Sequence, residues 1–181
     1  MKRILLLSDT HSFIDPLWAQ YMESCDEIWH AGDIGNEEVL DYLESLNKPV
    51  RAVWGNIDDH KVRRRLPEIL SFEVEGLKIL MLHIGGYPDH YAASARLQIA
   101  QHSPGLFICG HSHILRVMND KKYGMLVMNP GAAGINGFHL VRTLLRFSID
   151  SGKVKDAEVI EVGPRGKISS GTPPPTRDMK D

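Results

Sequence analysis

Seven side chains that can bind transition metals lie at the ends of short apolar segments of this chain. They are Asp9, His11, Asp33, Asn56, His83, His111 and His113. A mixture of imidazole and carboxylate donors suits manganese, iron, zinc, cobalt or nickel, whereas calcium and magnesium prefer oxygen donors alone. Seven ligands exceed what one ion normally takes. The set fits two ions about 3.5–4 Å apart that share one carboxylate, and Asp33 is the predicted shared ligand.

The seven residues all follow apolar segments that are typical of buried strands. These segments are residues 3–7, 27–29, 50–53, 77–82 and 106–109. Ligand sites of open α/β sheets form where strands end, so the side chains are expected to meet in one crevice. Gly32, Gly55 and Gly110 directly precede three of them. This placement predicts sharp backbone turns that aim the next side chain into the crevice.

Two of the segments lead into triplets in which one residue separates two candidate ligands. The triplets are Asp9-Thr-His11 and His111-Ser-His113. Side chains two positions apart point to the same face of an extended chain. Each triplet is therefore expected to present both of its ligands on one side.

The remaining patterns predict a mixed fold. Helical periodicity over residues 36–46 and about 91–102 alternates with the early strands, and short turns join three pairs of apolar segments. The predicted hairpins are residues 69–74 with 77–82, 115–118 with 125–128, and 141–149 with 154–162. A single domain is expected over residues 1–163. Residues 164–181, rich in Gly, Ser, Pro and charges, are predicted to form a flexible C-terminal tail.

Composition narrows the class of protein and its surroundings. The 181 residues carry a formal net charge of −2, which gives no general reason to expect nucleic acid or an anionic membrane as partner. No apolar stretch is long enough for a membrane span or a signal-peptide core. Cys25 and Cys109 have no paired spacing and suit a reducing compartment. A cytoplasmic monomer or homodimer without a membrane partner is the expectation.

Taken together, the motifs resemble those of the calcineurin-like metallophosphoesterases over most of residues 1–163. The matching motifs are Asp9-Thr-His11, Gly32-Asp33, Gly55-Asn56, His83 and Gly110-His111-Ser-His113. The short length and the Asn129-Pro130-Gly131-Ala132 segment resemble the small YfcE-like phosphodiesterase branch. The resemblance implies an α/β fold, with a calcineurin-like two-sheet β-sandwich core flanked by helices. It also implies two divalent metal ions, with Mn²⁺ favoured and Ni²⁺, Zn²⁺, Fe²⁺ or Co²⁺ compatible.

The resemblance also implies a ligand assignment and a mechanism. One ion would be held by Asp9, His11, Asp33 and His113, and the other by Asp33, Asn56, His83 and His111. The implied reaction is in-line attack on a phosphodiester by a hydroxide that bridges the two ions, while both ions offset charge on the phosphoryl oxygens. The catalytic expectation accordingly rests on Asp33, Asn56 and His83.

Two departures from the family pattern bear on the substrate. Ile57 stands where many relatives carry a histidine that can protonate the leaving group, so diesters with good leaving groups are expected over unactivated monoesters. Asp58 and His60 are candidate replacements for that acid, although an aspartate at such a place more often anchors a loop. Ile84 stands where glycine usually follows the ligand His83. The ligand His83 is retained, and the loop that faces the substrate is expected to differ in shape from that of the family.

Other conspicuous residues each allow a functional and a structural interpretation. Tyr87, His90 and Tyr91 could stack on an aryl ester or nucleobase, or belong to an ordered turn. His30 could orient a ligand or be a core histidine. Arg142, with His139, could meet a phosphate, but a solvent-facing strand residue is the expected reading. The basic run at residues 61–65 is expected to be a solvated helix face rather than a nucleic-acid site.

The sequence therefore predicts a divalent-metal-dependent phosphodiesterase that acts on a small phosphoester. A phosphomonoesterase is the nearest alternative. A non-catalytic scaffold is the alternative from another class, because the same fold occurs in a retromer scaffold subunit and a fold can host unrelated functions. The complete ligand set argues against the scaffold, since assembly alone requires no such arrangement of imidazoles around carboxylates.

Overall fold

Two mixed β-sheets, stacked face to face, form the centre of the protein. The structure is a computed structural model that describes residues 1–166 together with the strand residues Arg177 and Asp178. The first sheet consists of β1 (Lys2–Leu7), β2 (Glu27–His30), β3 (Val50–Ala52), β9 (Val141–Asp150), β10 (Lys153–Pro164) and β11 (Arg177–Asp178). Its spatial order is β11-β10-β9-β1-β2-β3. The strands β1, β2 and β3 run parallel, and the others are antiparallel to their neighbours.

The second sheet also combines parallel and antiparallel pairs. It consists of β4 (Ile69–Val74), β5 (Leu77–Leu82), β6 (Leu106–Ile108), β7 (Leu115–Asp120) and β8 (Met125–Pro130), in the order β4-β5-β6-β8-β7. The strands β5, β6 and β8 are parallel, while β4 and β7 are antiparallel edge strands. The three predicted hairpins are therefore confirmed as antiparallel pairs, because turns this short cannot return a chain in the parallel direction.

Helices cover the outer face of each sheet. They are α1 (Trp18–Glu23), α2 (Glu37–Ser45), α3 (His60–Arg65) and α4 (Ala93–His102). In β1, Leu5 and Leu7 pack towards α1 and α2, whereas Ile4 and Leu6 face the second sheet. This follows from the alternation of side chains along a strand that is buried on both faces. The α/β two-sheet sandwich flanked by helices is thus confirmed.

The second and fourth helices were predicted from their periodicity, with boundaries within two residues of those observed. The helix α1 has only six residues, too few for a periodic pattern to be visible in the sequence. The helix α3 contains the basic run. Within it, Arg65 pairs with Asp41 and Glu44 of α2, and Arg64 donates to the carbonyl of His60. These contacts agree with the reading of the run as a helix face.

The C-terminal prediction falls largely outside the described residues. The strand β10 ends at Pro164, and the described pair Arg177 and Asp178 lies beside Val159 and Glu158 of β10. The proposed flexible tail at residues 164–181 otherwise concerns residues that the structure does not describe. In the described part of the chain, no helix is long and apolar enough to cross a membrane.

Candidate metal centre

The candidate ligands lie in loops that follow strands of both sheets. The loops after β1, β2 and β3 of the first sheet carry Asp9, His11, Asp33 and Asn56, and those after β5 and β6 of the second carry His83, His111 and His113. Because the ends of parallel strands lie at one edge of a sheet, the stacking of the two sheets brings these loops together. The observed crevice thus spans both sheets rather than one.

One group of donors consists of Asp9, His11 and His113, whose ligand atoms all lie within 4.8 Å of one another. His113 Nε2 is 3.2 Å from Asp9 Oδ1, and His11 Nε2 is 3.3 Å from His113 Nε2. The Asp9 carboxylate is fully buried, whereas both histidines remain partly accessible. This arrangement offers one carboxylate and two imidazoles to a single point, as a borderline transition metal requires.

The second group consists of Asp33, His83 and His111, again with their ligand atoms within 4.8 Å of one another. His83 Nε2 lies 3.2 Å from Asp33 Oδ1. The other oxygen of the same carboxylate, Asp33 Oδ2, lies 3.8 Å from His11 Nε2 of the first group. The two oxygens of Asp33 therefore face different groups.

Asp9 Oδ1 and His83 Nε2, two buried atoms at the centre of the site that lie 3.9 Å apart, have no hydrogen-bond partner among the described residues. The short distance from His83 Nε2 to Asp33 lacks hydrogen-bond geometry. His83 Nδ1 lies 2.8 Å from the Ala31 carbonyl, to which it must donate, so Nε2 keeps its lone pair. Leaving such atoms unsatisfied costs about 1–3 kcal/mol each. A divalent cation would satisfy both, so the residues present fit a metal.

The electrostatics of the site also favour positive charge. Burial alone would raise the pKa of Asp33, but His83, the Ile57 N–H and His11 outweigh it and hold the pKa below its ordinary value. Burial alone would lower the pKa of His83, but Asp33 and Asp9 outweigh it and raise the pKa. For His11, burial prevails and lowers the pKa despite the same carboxylates. The carboxylates thus stabilise a positive charge at His83, which a proton carries in the absence of metal and which a metal ion would carry in its place.

The backbone of the two triplets corrects the sequence-based expectation. Asp9 and His11 have φ angles of 55° and 48°, and His111 and His113 have φ angles of 67° and 57°. These are left-handed values, so the triplets are not extended and the alternation argument does not apply. Asp9 and His11 still share one donor group, as expected, whereas His111 and His113 belong to different groups. Strained backbone of this kind persists where the surrounding structure fixes it, as at binding sites.

The glycines before the ligands have two different roles. Gly32 has a φ of +97°, which matches the predicted turn. Gly55 and Gly110 do not have left-handed φ angles, yet a turn begins at each of them as predicted. The Gly55 carbonyl accepts the Asp58 N–H over 3.3 Å, and the Gly110 carbonyl accepts the Ser112 N–H over 2.8 Å. A Cβ on Gly55 would lie 2.2 Å from Asp33 Oδ1, and one on Gly110 would lie 2.1 Å from the Ser8 hydroxyl oxygen. These two positions are glycine because neighbouring loops approach too closely for any side chain.

Asn56 lies at the exposed edge of the second donor group. It lines a cavity of about 260 Å³ together with His83, Ile84, Trp54 and Arg63, which we call the Trp54 cavity. The side chain of Ile57 is also exposed, while its N–H donates to Asp33 Oδ1 over 3.1 Å. The residue that replaces the usual histidine therefore still holds Asp33 through its backbone.

Asp58 anchors two loops and has neither oxygen available for acid catalysis. Its carboxylate is almost fully buried and accepts the N–H groups of Gly35 and Gly55, both over 2.7 Å. Gly55 directly precedes Asn56, so the carboxylate fixes the loop that carries a candidate ligand. Among the two readings from sequence, the loop anchor agrees with this geometry.

We expect Asp58→Asn to lower stability by about 1–3 kcal/mol, because one amide NH₂ group would face a backbone N–H. Thermal denaturation would measure this, with Asp59→Asn as the matched control. Asp59 caps α3 through the N–H groups of Lys61 and Val62, a role that asparagine can also fill. The dependence of the rate on leaving-group pKa should not change. A selective loss of activity on poor leaving groups would instead identify Asp58 as the acid.

His30 is a buried core histidine that holds two site loops together. Its Nδ1 accepts the N–H of Gly32 over 3.2 Å, and Nε2 lies 2.9 Å from the hydroxyl of Thr10. Burial lowers its pKa to about 3, so the ring is neutral at physiological pH. The described contacts tie the segment around Thr10 to the one around Gly32. Of the two interpretations of His30, they favour a core histidine over a residue that orients a ligand directly.

The expectation for Arg142 was wrong on both readings. Its side chain is fully buried and forms an ion pair with Asp15, which is equally buried. It also donates to the carbonyl of Val162 over 3.1 Å. Because the charge is neutralised inside the protein, Arg142 meets neither solvent nor a substrate phosphate. His139 lies beside the site, with its ring centre 5.3 Å from that of His113.

Tyr87, His90 and Tyr91, the three candidate stacking residues, differ in the contacts that they make. The Tyr91 hydroxyl donates to Asp120 over 2.7 Å, and its ring packs edge-on against Phe107. Tyr87 and His90 stack with ring centres 4.8 Å apart. All three line a second cavity of about 500 Å³ beside His111, which we call the Tyr87 cavity. Contact between these rings and a substrate stays a prediction.

Asn129 has a role that the sequence did not indicate. Its amide donates to the Gly110 carbonyl over 2.7 Å and to the Ser112 hydroxyl over 3.1 Å. It thereby fixes the backbone on both sides of His111. The only signal in the sequence was its place in the Asn-Pro-Gly-Ala segment, which supported the resemblance without assigning a contact.

Comparison with known proteins agrees with this geometry. Residues 1–152 match the sequence profile of the calcineurin-like phosphoesterase superfamily domain. A probable metallophosphoesterase of Methanothermobacter thermautotrophicus is 29% identical over 165 residues, which cover 87% of this chain and 91% of that protein. A phosphodiesterase of Methanocaldococcus jannaschii is 23% identical over 146 residues, covering 71% of this chain and 82% of that protein.

Solved structures show the same fold at lower sequence identity. Vps29 of Chaetomium thermophilum superimposes with a TM-score of 0.78 at 16% identity, over 99% of this chain and 97% of that one. At this identity the likeness supports the fold alone. The sequence profile, which matches more than four-fifths of the chain, is what supports the chemistry.

Proposed function

The chain belongs to the calcineurin-like phosphoesterase superfamily, and on that basis we propose that it is a phosphodiesterase with two divalent metal ions. The observation that carries the proposal is the position of Asp33. One of its oxygens lies 3.2 Å from His83 and the other 3.8 Å from His11, so a single carboxylate serves both donor groups. A shared carboxylate is the feature that two-metal hydrolases use to hold their ions close together.

The proposed ligands follow the two donor groups. Asp9, His11, His113 and Asp33 would hold one ion, and Asp33, His83, His111 and Asn56 the other. Bound at these places, divalent ions supply an activated water and positive charge against the phosphoryl oxygens. The protein holds these ligands in a fixed orientation. Ala31 fixes the ring of His83, Asn129 fixes the loop of His111, and the His111 N–H donates to Asp9 Oδ2 over 3.2 Å.

The unsatisfied buried atoms support a bound cation. Asp9 Oδ1 and His83 Nε2 are buried without partners among the described residues, an arrangement that destabilises the fold until a ligand is present. Such a destabilising arrangement is typical of functional sites, where a ligand restores the missing interaction. Manganese is the favoured ion, as in the sequence-based expectation, and a small phosphodiester with a good leaving group is the proposed substrate.

Diester preference is proposed because neither Ile57 nor Asp58, the two residues after Asn56, is placed to protonate a poor leaving group. Ile57 is apolar, and both oxygens of Asp58 accept backbone N–H groups. Without a proton donor, expulsion of an alkoxide is slow, whereas a nitrophenolate leaves without help. The space around the site also accommodates two ester groups, since separate cavities lie beside His83 and beside His111.

The test compares mono- and diesters that share one leaving group. Protein stripped of metal with a chelator would be reloaded with Mn²⁺, Ni²⁺, Zn²⁺ or Mg²⁺, and assayed with p-nitrophenyl phosphate and bis(p-nitrophenyl) phosphate. We expect turnover to depend on added metal and the diester to react faster. Faster hydrolysis of the monoester would identify a phosphomonoesterase. Absence of turnover with every ion would contradict the hydrolase and favour the scaffold.

A further inference from the structure

Two cavities adjoin the candidate metal centre and meet at one residue. Ile84, directly after His83, lines both the Trp54 cavity and the Tyr87 cavity. The first lies beside Asn56 and His83, and the second lies beside His111. A phosphodiester bound at the second donor group has two organic arms. Each cavity is therefore placed to receive one arm, with Ile84 between them.

The walls of the two cavities differ in charge. The Trp54 cavity contains an apolar surface from Trp54, Ile69 and Ile84, and its charged residues are Arg63 and Glu68. The Tyr87 cavity contains the cation Arg116 and, among its described lining residues, no aspartate or glutamate. The cavity beside His111 thus has an uncompensated positive charge in its wall.

Arg116 is held in place by its neighbours. Its guanidinium carbon lies 4.0 Å from the centre of the Tyr87 ring. In the sheet, Arg116 of β7 is the register partner of Asn129 of β8, and Asn129 in turn binds the Gly110 carbonyl. The backbone of Arg116 is thereby tied to the loop that carries His111, while the Tyr87 ring positions the guanidinium. A cation held on an aromatic face loses little conformational freedom when it binds an anion.

The charge of Arg116 is also available. Arg65 bonds to Asp41 and Glu44, and Arg51 bonds to Glu27. Arg63 of the Trp54 cavity lies over the Trp54 ring, and its donors are used by the carbonyls of Asp58 and Asn56. Within residues 1–166, no carboxylate lies at ion-pair distance from Arg116. An arginine that is oriented by a ring and lacks an acidic partner is suited to bind a planar anionic group with two hydrogen bonds.

We propose that the Tyr87 cavity binds the retained arm of the phosphodiester, and that Arg116 selects an arm with its own negative charge. A carboxylate or a further phosphate on that arm has the required chemistry. The leaving arm then occupies the Trp54 cavity. This inference rests on the proposed phosphodiesterase function and deepens it. It names the class of substrate, a diester with one apolar or aryl arm and one anionic arm.

The experiment uses two diesters with the same leaving group, ethyl p-nitrophenyl phosphate and carboxyethyl p-nitrophenyl phosphate. We expect the Mn²⁺-loaded protein to prefer the carboxyethyl ester in kcat/KM. In Arg116→Gln the ratio of the two kcat/KM values should fall about tenfold, the usual effect of losing a charge-assisted hydrogen bond. Arg64→Gln is the matched control, because Arg64 lines neither cavity and bonds only within its helix.

A binding measurement separates this inference from the proposed function. Calorimetry with carboxyethyl phosphate and ethyl phosphate reports the same preference without turnover. We expect tighter binding of carboxyethyl phosphate to the wild type and loss of the difference in Arg116→Gln only. Equal binding of the two, or an equal ratio in Arg116→Gln, would overturn the role of Arg116. Failure to hydrolyse any ester, with the binding preference intact, would overturn the phosphodiesterase instead.

Discussion

Replacement of Asp33 by asparagine is expected to reduce hydrolysis of an aryl phosphodiester on the order of a thousandfold. The two oxygens of Asp33 face the two donor groups, and asparagine replaces one of them with an NH₂ group that cannot bind a cation. The remaining carbonyl can still accept the Ile57 N–H. Asparagine also tolerates the left-handed φ of 53° at this position. The fold should therefore persist while the site fails.

The measurement is kcat/KM after reloading with each metal, together with the metal content of the purified protein. We expect both to fall in Asp33→Asn. Asp156→Asn is the matched control, because Asp156 is an exposed aspartate of β10 with a similar φ of 52°. It should behave like the wild type. Retention of wild-type activity in Asp33→Asn would remove the basis for a shared carboxylate.

Replacement of Gly55 by alanine is expected to lower activity about a hundredfold, the effect of displacing reacting groups by about 1 Å. The added Cβ would lie 2.2 Å from Asp33 Oδ1 and 2.4 Å from the Asp33 backbone nitrogen. The backbone nitrogen cannot move aside as a flexible side chain would. The loops after β2 and β3 must then separate, which displaces Asp33 and Asn56. Overpacking of this kind also destabilises by about 1–3 kcal/mol.

Gly124→Ala is the comparison for Gly55→Ala. Gly124 lies in the turn between β7 and β8 and has a φ of +64°, and a Cβ added there would meet no neighbouring atom within 4 Å. This substitution strains the backbone without crowding, so it should lower the melting temperature and leave activity near the wild-type value. If Gly55→Ala lost stability but kept its activity, the precise spacing of the two loops would not matter for catalysis.

Local sequence patterns predicted most helices and strands of the fold. The apolar runs of β1 and β6 are continuous because these strands are buried on both faces, and the hairpins are marked by their short turns. The short helix α1 gave no such signal, since six residues do not complete two turns. The prediction was therefore strongest where burial imposes a repeating pattern and weakest where an element is too short to repeat it.

Local reasoning failed where a contact across the chain decides the geometry. Arg142 looks like an ordinary strand residue in sequence, yet Asp15, 127 positions away, pairs with it in the interior. Gly55 and Gly110 begin turns as predicted, but the sequence did not show that loops from other strands also exclude a side chain there. Arg116 gave no signal at all, because its importance comes from Tyr87 and from the cavity that both of them line.

The sequence by itself determined the inventory of donor groups and the strand ends that carry them, since residue type and apolar periodicity are local properties. Spacing could not group the donors; the resemblance implied a grouping, and only the tertiary structure shows why it arises. His113 joins His11 across 102 positions, while its near neighbour His111 joins Asp33 and His83. The reason is physical: the stacking of two sheets sets which loops meet, and left-handed backbone at the ligands overrides the alternation that sequence spacing implies.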